Sequence, residues 1–201
     1  MDVELSKEQL TFLMELARIP IAFKVDRIFD VIVHEGGLGG FTFLESSVDV
    51  PYVKDYDAIA GEGPAHWASR FDMTNWGLIT SRAGGLCVGG AVVACKTLGA
   101  AMLEGRSDLA VLWDIRVAPE FRGQGVGSSL FRAAEEWATA RGCRQLKVET
   151  QNINVVACRF YARQGCVLGA IHRLAYPELP HEVQLLWYKN LSVAPLSVRT
   201  G

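Results

Sequence analysis

The sequence offers little that would tie the protein to a membrane or a nucleic acid. No apolar run in its 201 residues approaches the roughly 20 residues that a membrane-spanning helix needs. The N-terminal residues MDVELSKEQ are acidic and lack the basic and apolar regions of a signal peptide. The net charge is −2, and the lysine and arginine residues are scattered. We therefore expect a cytoplasmic protein that binds neither membrane nor nucleic acid.

The cysteine and histidine residues lack the spacing of a metal site. The five cysteines form no CxxC motif, and most of them lie within apolar runs. The four histidines lie far apart in the sequence. We therefore expect reduced, partly buried thiols and no bound metal. The cysteines are Cys87, Cys95, Cys143, Cys158 and Cys166.

The length and composition are those of one domain with a sizeable core. Half of the 201 residues are hydrophobic, and no repeat or linker interrupts the chain. We predict a single domain over residues 1–190 and a frayed tail over residues 191–201.

The first half of the chain is predicted to form short elements joined by turns. The segment Ser6 to Gln9 matches a capping box, which predicts a short helix that ends at Pro20. Apolar segments bounded by turn residues predict strands over residues 21–34, 41–48, 76–81 and 86–96. We expect a loop over residues 50–57, a short helix over 61–70 and a mobile hairpin loop over 99–108.

The stretch from Leu109 to Gly127 carries the strongest functional signal. An apolar run over residues 110–117 has strand character, and a glycine-rich loop then leads into residues 125–141, which have helical period. A short strand over residues 145–150 follows, so these segments predict a βαβ unit with parallel strands. A glycine loop before a helix gathers backbone N–H groups at the positive end of the helix dipole, which favours phosphate.

The spacing of the glycines separates three kinds of phosphate loop. A P-loop would need a Gly-Lys-Ser/Thr ending, which this loop lacks. A dinucleotide loop would need a third glycine where Ser128 stands, although Glu149 lies about where its ribose-binding acid would, so this alternative stays open. The pattern Arg/Gln-x-x-Gly-x-Gly/Ala fits at Arg122, Gly125 and Gly127. It resembles the pyrophosphate loop of the GCN5-related N-acetyltransferases (GNAT), which bind acetyl-CoA.

A second motif lies one strand and one helix beyond this loop. The pattern Asn154-x-x-Ala157-x-x-Phe160-Tyr161-x-x-x-Gly165 resembles the second motif of the same family, which ends in Gly-Phe where this chain has Cys166. Within residues 110–190 the resemblance is to the streptothricin acetyltransferases in particular. It rests on segments 148–154, 157–161 and 186–188. Outside this range, the phrase Pro51-Tyr52-x-Lys54-x-Tyr56 is similar to theirs too. The chain differs from them in lacking a dense acidic run near Tyr56 and in an insertion over residues 99–108.

The resemblance implies a fold and a set of acetyl-CoA contacts. The fold is an α/β (mixed α+β) domain whose mostly antiparallel sheet splays apart at the acetyl-CoA site and is flanked by helices. The pantetheine arm is expected along the backbone of residues 115–117 and the pyrophosphate on the amides of residues 124–128. The residues assigned to acetyl-CoA are Ile115, Arg116, Val117, Arg122, Gly123, Gln124, Gly125, Val126, Gly127, Ser128, Asn154 and Tyr161.

Acetyl transfer to an amine needs a base. An ammonium group has a pKa of about 10.4 and must lose a proton before it attacks, and a carboxylate can accept that proton. Glu149 is our preferred base, because it lies near the C-terminal end of its strand, where such clefts open. Asp114 is the second candidate. By strand alternation it shares a face with Leu112 and Arg116, so an ion pair is its structural alternative.

The transfer also needs an acid for the departing thiolate of CoA. Tyr161 is the expected proton donor, since a free tyrosine has a pKa of about 10. A covalent acetyl-cysteine on Cys158 or Cys166 is the less favoured route, because neither thiol has a visible histidine or carboxylate partner.

The acceptor is expected to be a cationic amine. Tyr52, Asp55, Tyr56 and Asp57 combine carboxylates with aromatic faces, which attract cations, and we predict that they form the substrate wall. The predicted function is transfer of an acetyl group from acetyl-CoA to a primary amine of a cationic small molecule, of the streptothricin type that the resemblance implies. Acetylation of a peptide or protein amine, and a non-catalytic acetyl-CoA sensor, are the alternatives. The predicted assembly is a monomer or a homodimer.

Overall fold

Two β-sheets and four α-helices make up the part of the chain that the structure describes. This computed structural model describes residues 3–191, so residues 192–201 of the predicted tail lie outside the described residues. The strands are β1 (Glu4–Glu8), β2 (Phe23–Val33), β3 (Phe41–Lys54), β4 (Trp76–Ala83), β5 (Leu86–Cys95), β6 (Leu109–Val117), β7 (Gln145–Gln151), β8 (Val167–His172) and β9 (Gln184–Asn190). The helices are α1 (Leu13–Leu16), α2 (Pro64–Arg70), α3 (Val126–Ala140) and α4 (Val155–Arg163). Within residues 3–191 no helix is long and apolar enough to cross a membrane.

The main sheet has seven strands in the order β1-β4-β5-β6-β7-β9-β8. Every neighbouring pair is antiparallel except β6 and β7, which are parallel. The parallel pairing joins Leu109–Val111 to Gln145–Lys147 and ends there, although β6 continues to Val117 and β7 to Gln151. The two strands therefore open a V-shaped gap, and the predicted mixed, mostly antiparallel, splayed sheet of a single domain is confirmed.

Helix α3 packs on one face of this sheet and begins beside the gap. Its buried residues recur at helical spacing: Val126, Leu130, Phe131, Ala134, Trp137 and Ala138. A Cβ on Gly77 of β4 would lie 2.1 Å from Trp137 Nε1, so only glycine allows this close approach. A Cβ on Gly127 would lie 3.5 Å from Phe160 and 3.9 Å from Val117, so the start of α3 lies between α4 and the end of β6.

A bulge in β6 decides which side chains face the gap. The pairing of β6 with β5 shifts register at Trp113, an extra residue between Leu112 and Asp114. Leu112 and Ile115 pack in the cluster that includes α3, whereas Asp114 binds Arg116 on the opposite side of the sheet. The prediction that Leu112 shares a face with Asp114 and Arg116 is therefore wrong, because strand alternation is interrupted by the bulge.

The second sheet is the hairpin of β2 and β3, which packs over the end of β7. Phe29 and Phe43 contact a buried cluster that includes Leu185. Asn152, directly after β7, donates from Nδ2 to Phe29 O at 3.0 Å, and its own carbonyl accepts from Phe29 N at 2.9 Å. Asn152 Oδ1 accepts from Val183 N at 2.8 Å. One buried amide therefore ties both the hairpin and the β8–β9 connection to β7.

Two predictions for the first half of the chain are wrong. Residues 4–8 form strand β1 rather than the start of a helix, because Ser6 pairs with Thr80 of β4, with their hydroxyl oxygens 3.0 Å apart. The predicted loop over residues 50–57 is strand as far as Lys54, because β3 stays paired with β2 up to Phe23. The other predicted strands and helices, and the βαβ unit, are confirmed within a few residues. Residues 99–108 connect β5 to β6 through a short 3-10 turn, and their mobility stays a prediction.

Candidate active site

A cleft of about 1270 Å³ occupies the gap between β6 and β7. It extends from the glycine loop before α3, past α4, to the β2–β3 hairpin and the β8–β9 connection. The divergence of the two strands therefore brings the glycine loop, the second motif and the candidate carboxylates to one space.

The glycine loop presents backbone N–H groups at one end of this cleft. Gly123 and Gly125 have φ of +74° and +88°, and Gly125 is the N-cap of α3. The first helical hydrogen bond runs from Ser129 N to Gly125 O at 3.0 Å. Within the described backbone the amides of residues 123–128 have no hydrogen-bond partner. Open N–H groups at a helix N-terminus fit a pyrophosphate.

Most of the residues predicted to contact acetyl-CoA line the cleft. Val126 points into the core beneath α3, and the side chain of Gln124 donates to Glu120 O at 2.7 Å, so these two offer only their backbone. The predicted residues in the cleft wall are Ile115, Arg116, Val117, Arg122, Gly123, Gly125, Gly127, Ser128, Asn154 and Tyr161.

Arg122 and Asn154 each hold local structure as well as lining the cleft. Arg122 donates from Nε to Val117 O at 2.9 Å and from Nη2 to Pro20 O at 3.0 Å. The side chain of Asn154 caps α4, because its Oδ1 accepts from Ala157 N at 3.0 Å. These bonds fix the positions of the loop and of α4 on either side of the cleft.

Tyr161 lies on the face of α4 that closes the cleft. Its ring is buried beside Phe131 and Phe160, and its side chain lines the cleft wall. Burial, together with the negative charge of Asp114, raises the pKa of Tyr161 above its ordinary value. The hydroxyl is therefore protonated at neutral pH and can act as a proton donor.

Asp114 is held in a buried ion pair. Arg116 donates to its two carboxylate oxygens from Nε at 2.9 Å and from Nη2 at 2.5 Å. Arg116 Nη1 also donates to Asp57 at 2.7 Å and to Ile19 O at 3.0 Å. Burial lowers the pKa of Arg116, but the two carboxylates outweigh it and raise the pKa overall. Both carboxylate oxygens of Asp114 are therefore held by a cation, which Asp114 shares with Asp57.

Glu149, on β7, has only neutral partners. Its Oε1 accepts from the hydroxyl of Tyr176 and from Gln151 Nε2 at 3.1 Å, and its Oε2 accepts from Gln184 Nε2 at 2.8 Å. The amide oxygen of Gln151 in turn accepts from the hydroxyl of Tyr56. These donors orient the carboxylate without compensating its charge.

The other carboxylates in the cleft wall each have a basic partner. The pairs are Asp26 with Lys24, Glu45 with Arg27 and Arg159, Asp57 and Asp114 with Arg116, Glu62 with Arg70, and Glu182 with Lys54. Among the described residues that line the cleft, Glu149 is therefore the one carboxylate outside salt-bridge distance of a cation. A cation that enters the cleft meets uncompensated negative charge at Glu149.

Two of the four residues predicted as a substrate wall line the cleft. Tyr56 and Asp57 line the cleft, but both bind other side chains there. Tyr52 pairs with Val25 further along the hairpin, and Asp55 accepts from Asp57 N at 3.0 Å within its own turn. The structure brings Tyr56 and Asp57 to the cleft and leaves Tyr52 and Asp55 outside its wall.

Sequence reasoning missed Tyr176 and Gln184. Tyr176 belongs to the irregular β8–β9 connection, in which no motif marks it. Gln184 begins β9, where it pairs with Gln151 two residues beyond Glu149. Placing the last strand beside β7 would have been enough to find Gln184, whereas Tyr176 had no local signal.

The two cysteines near the second motif are buried. Burial raises the pKa of Cys158 to about 11 and that of Cys166 to about 11. Because the thiolate is the nucleophilic form, neither thiol is activated at neutral pH.

A splayed parallel strand pair that faces a glycine loop, with a buried tyrosine across the gap, is the arrangement of the GNAT class of acetyltransferases. The model of the Acetyltransferase (GNAT) family matches residues 53–166, a segment that includes the loop, Glu149 and Tyr161. The chain belongs to this family. It is an acetyl-CoA-dependent N-acetyltransferase.

The chain is similar to streptothricin acetyltransferases over most of its length. It is 29% identical over 159 residues to streptothricin acetyltransferase A of Bacillus subtilis (strain 168), which covers 75% of this chain and 80% of that protein. It is 26% identical over 170 residues to the streptothricin acetyltransferase of Streptomyces lavendulae, which covers 85% and 84% respectively. A Bacillus anthracis str. Ames structure, assigned as a streptothricin acetyltransferase and solved with acetyl coenzyme A, has the same fold. It gives a TM-score of 0.73 at 22% identity over 96% of this chain and 99% of that chain.

Proposed function

We propose that the protein acetylates a primary amine of a cationic small molecule of the streptothricin type, and that this modification confers resistance to the antibiotic. The observation that carries the proposal is the uncompensated carboxylate of Glu149 in a cleft whose other carboxylates are paired. The names of the relatives support the streptothricin type. The five unpaired, buried thiols support a cytoplasmic location.

The residues at the loop end of the cleft fit acetyl-CoA. The open amides of residues 123–128 suit its pyrophosphate, and Arg122 keeps free N–H donors beyond its two carbonyl bonds. On its cleft side β6 has no strand partner after Val111, so the backbone of residues 115–117 can bind an extended pantetheine. When bound, acetyl-CoA supplies the activated acetyl thioester.

Glu149 and Tyr161 are the proposed proton carriers. Glu149 takes a proton from the substrate ammonium, so that the amine nitrogen can form its bond to the acetyl carbon, and later returns that proton to solvent. A backbone N–H of residues 115–117 is the proposed donor to the developing oxyanion. Tyr161 Oη gives its proton to the sulfur as the carbon–sulfur bond breaks. The nitrogen loses its second proton to solvent as the amide forms, and solvent returns a proton to Tyr161. The products are the N-acetylated amine and the free thiol of CoA.

Direct transfer is favoured over an acetyl-cysteine intermediate. A cysteine nucleophile would need to be a thiolate, and burial keeps Cys158 and Cys166 protonated.

Asp114 is the less suitable base, because Arg116 already holds both of its oxygens. The proposed base is therefore Glu149.

A panel of amines, scored by release of the CoA thiol, tests this proposal. We expect streptothricin to have the highest kcat/KM and to gain one acetyl group at its β-lysine amine, measured by mass spectrometry. Glu149→Gln should lower kcat by roughly 10²- to 10⁴-fold. If streptothricin stays unmodified and a peptide amine is acetylated rapidly, the acceptor is a peptide and the proposed substrate is wrong. Binding of acetyl-CoA without thiol release from any amine would make the protein a sensor.

A further inference from the structure

The β8–β9 connection contributes one side chain to the carboxylate of Glu149. Tyr176 lies in this irregular segment, over residues 173–183. Its hydroxyl donates to Glu149 Oε1 and accepts from Gln151 Nε2 at 2.8 Å. Burial, with the charge of Glu149, raises the pKa of Tyr176, so this hydroxyl stays a donor at neutral pH.

The other donors complete a fixed arrangement around the carboxylate. Gln151 Nε2 also donates to Glu149 Oε1, and the hydroxyl of Tyr56 holds the opposite end of that amide. Gln184 Nε2 donates to Oε2 at 2.8 Å. Because the hydroxyl of Tyr56 fills the amide oxygen of Gln151, the NH2 group of Gln151 is the end that faces Glu149.

A count of acceptor positions indicates where the substrate proton goes. An ionised carboxylate has about four acceptor positions, two on each oxygen. Two donors occupy Oε1 of Glu149 and one occupies Oε2. The position left for an ammonium proton is therefore on Oε2, and its direction depends on the bonds that hold Oε1.

We propose that Tyr176 is a positioning residue, which holds Glu149 so that the free position on Oε2 meets the acceptor amine. The inference rests on the proposed role of Glu149. Without the hydroxyl of Tyr176, Oε1 keeps a single donor and the carboxylate can rotate away from the amine.

A double-mutant cycle separates positioning from a general structural role. Tyr176→Phe, Glu149→Gln and the double variant are compared by kcat/KM for an amine that the wild type acetylates, divided by the fraction of protein that binds acetyl-CoA in calorimetry. We expect Tyr176→Phe to lose roughly tenfold or more, the scale of a hydrogen bond to a charged group. In the Glu149→Gln background the same change should cost nothing further, because its effect acts through Glu149.

Tyr188→Phe is the matched control, because the hydroxyl of Tyr188 also donates to a glutamate, Glu104, outside the cleft wall. It should leave kcat/KM unchanged. Wild-type activity in Tyr176→Phe, or an equal loss in both backgrounds, overturns the inference and leaves the role of Glu149 intact. Full activity in Glu149→Gln overturns the proposed base itself, whatever Tyr176→Phe does.

Discussion

Arg116 and Asp114 lie two residues apart on β6, and Nε and Nη2 of the guanidinium are 2.9 and 2.5 Å from the two carboxylate oxygens. Both side chains are buried, at 1% and 3% exposure. Glu149, across the gap on β7, has neutral donors only. The two carboxylates that the sequence offers as bases therefore differ in their partners: a cation holds both oxygens of Asp114, whereas no cation contacts Glu149.

We expect Arg116→Met to lower the free energy of unfolding by about 3–5 kcal/mol, because the variant buries Asp114 without its cation. Urea unfolding measures this change. Arg106→Met is the control: the side chains of Arg106 and its partner Asp108 are 37% and 42% exposed, so water already screens their pair. A loss no larger in Arg116→Met than in Arg106→Met would show that the buried pair does not stabilise the fold.

Local patterns predicted the functional half of the fold. The glycine loop, helix α3 and the Asn154 motif are recognisable because turn residues and helical period depend on neighbours in sequence. These patterns predict the βαβ unit and place the loop, Glu149 and Tyr161 in one region. The prediction that the sheet splays rests on the family resemblance and not on local sequence patterns.

Features that depend on pairing between distant segments were not predictable. The Ser6 segment satisfies a capping box, yet it forms a strand because Thr80, 74 residues away, is its partner. The bulge at Trp113 reverses the alternation of β6 and has no marker in the sequence. The donors around Glu149 come from two further segments, so the decisive property of the site, one uncompensated carboxylate, appears only in three dimensions.

Substitutions at Gly125 test the phosphate loop through charge alone. Gly125 has φ of +88°, a region that Asn and Asp tolerate better than most residues, and no atom lies within 4 Å of an added Cβ. We expect Gly125→Asp to bind acetyl-CoA at least about tenfold more weakly than Gly125→Asn, which is about 1.4 kcal/mol, because its carboxylate faces the pyrophosphate. Calorimetry measures both affinities. Equal affinities would show that the pyrophosphate does not bind at this loop.

Tyr161→Phe should lower kcat by roughly 10²- to 10⁴-fold, the usual contribution of a general acid, with little change in the affinity for acetyl-CoA. The protonated hydroxyl is the active form and is lost only above its pKa, which burial raises. The wild-type kcat should therefore show no decline due to Tyr161 up to about pH 10. Steady-state kinetics across pH check both points. An intact kcat in Tyr161→Phe would mean that water or another group protonates the thiolate.

Cys158→Ala and Cys166→Ala should each retain the wild-type kcat. Burial raises the pKa of both thiols to about 11, so the reactive thiolate is scarce at neutral pH and increases only as the pH approaches that value. Alkylation by iodoacetamide at neutral pH should accordingly be slow. Mass spectrometry of the protein mixed with acetyl-CoA provides the opposing test, since an acetylated Cys158 or Cys166 peptide would favour the covalent route.

Lys54→Met tests whether charge in the cleft wall attracts the acceptor. Lys54 Nζ lies 2.5 Å from Glu182 Oε1, and the two side chains are 14% and 10% exposed. Methionine keeps the apolar stem and removes the cation, so Glu182 becomes a second uncompensated carboxylate beside Glu149. We expect the KM for a cationic acceptor to fall by up to roughly tenfold, about 1.4 kcal/mol, with the KM for acetyl-CoA unchanged. The decline of kcat/KM with ionic strength should also steepen, because salt screens two attracting charges instead of one.

Lys24→Met is the control, since Lys24 and Asp26 are 65% and 53% exposed and water already weakens their pair. If both variants show the salt dependence of the wild type, charge in this wall does not select the acceptor, and an uncharged or peptide amine becomes the better substrate.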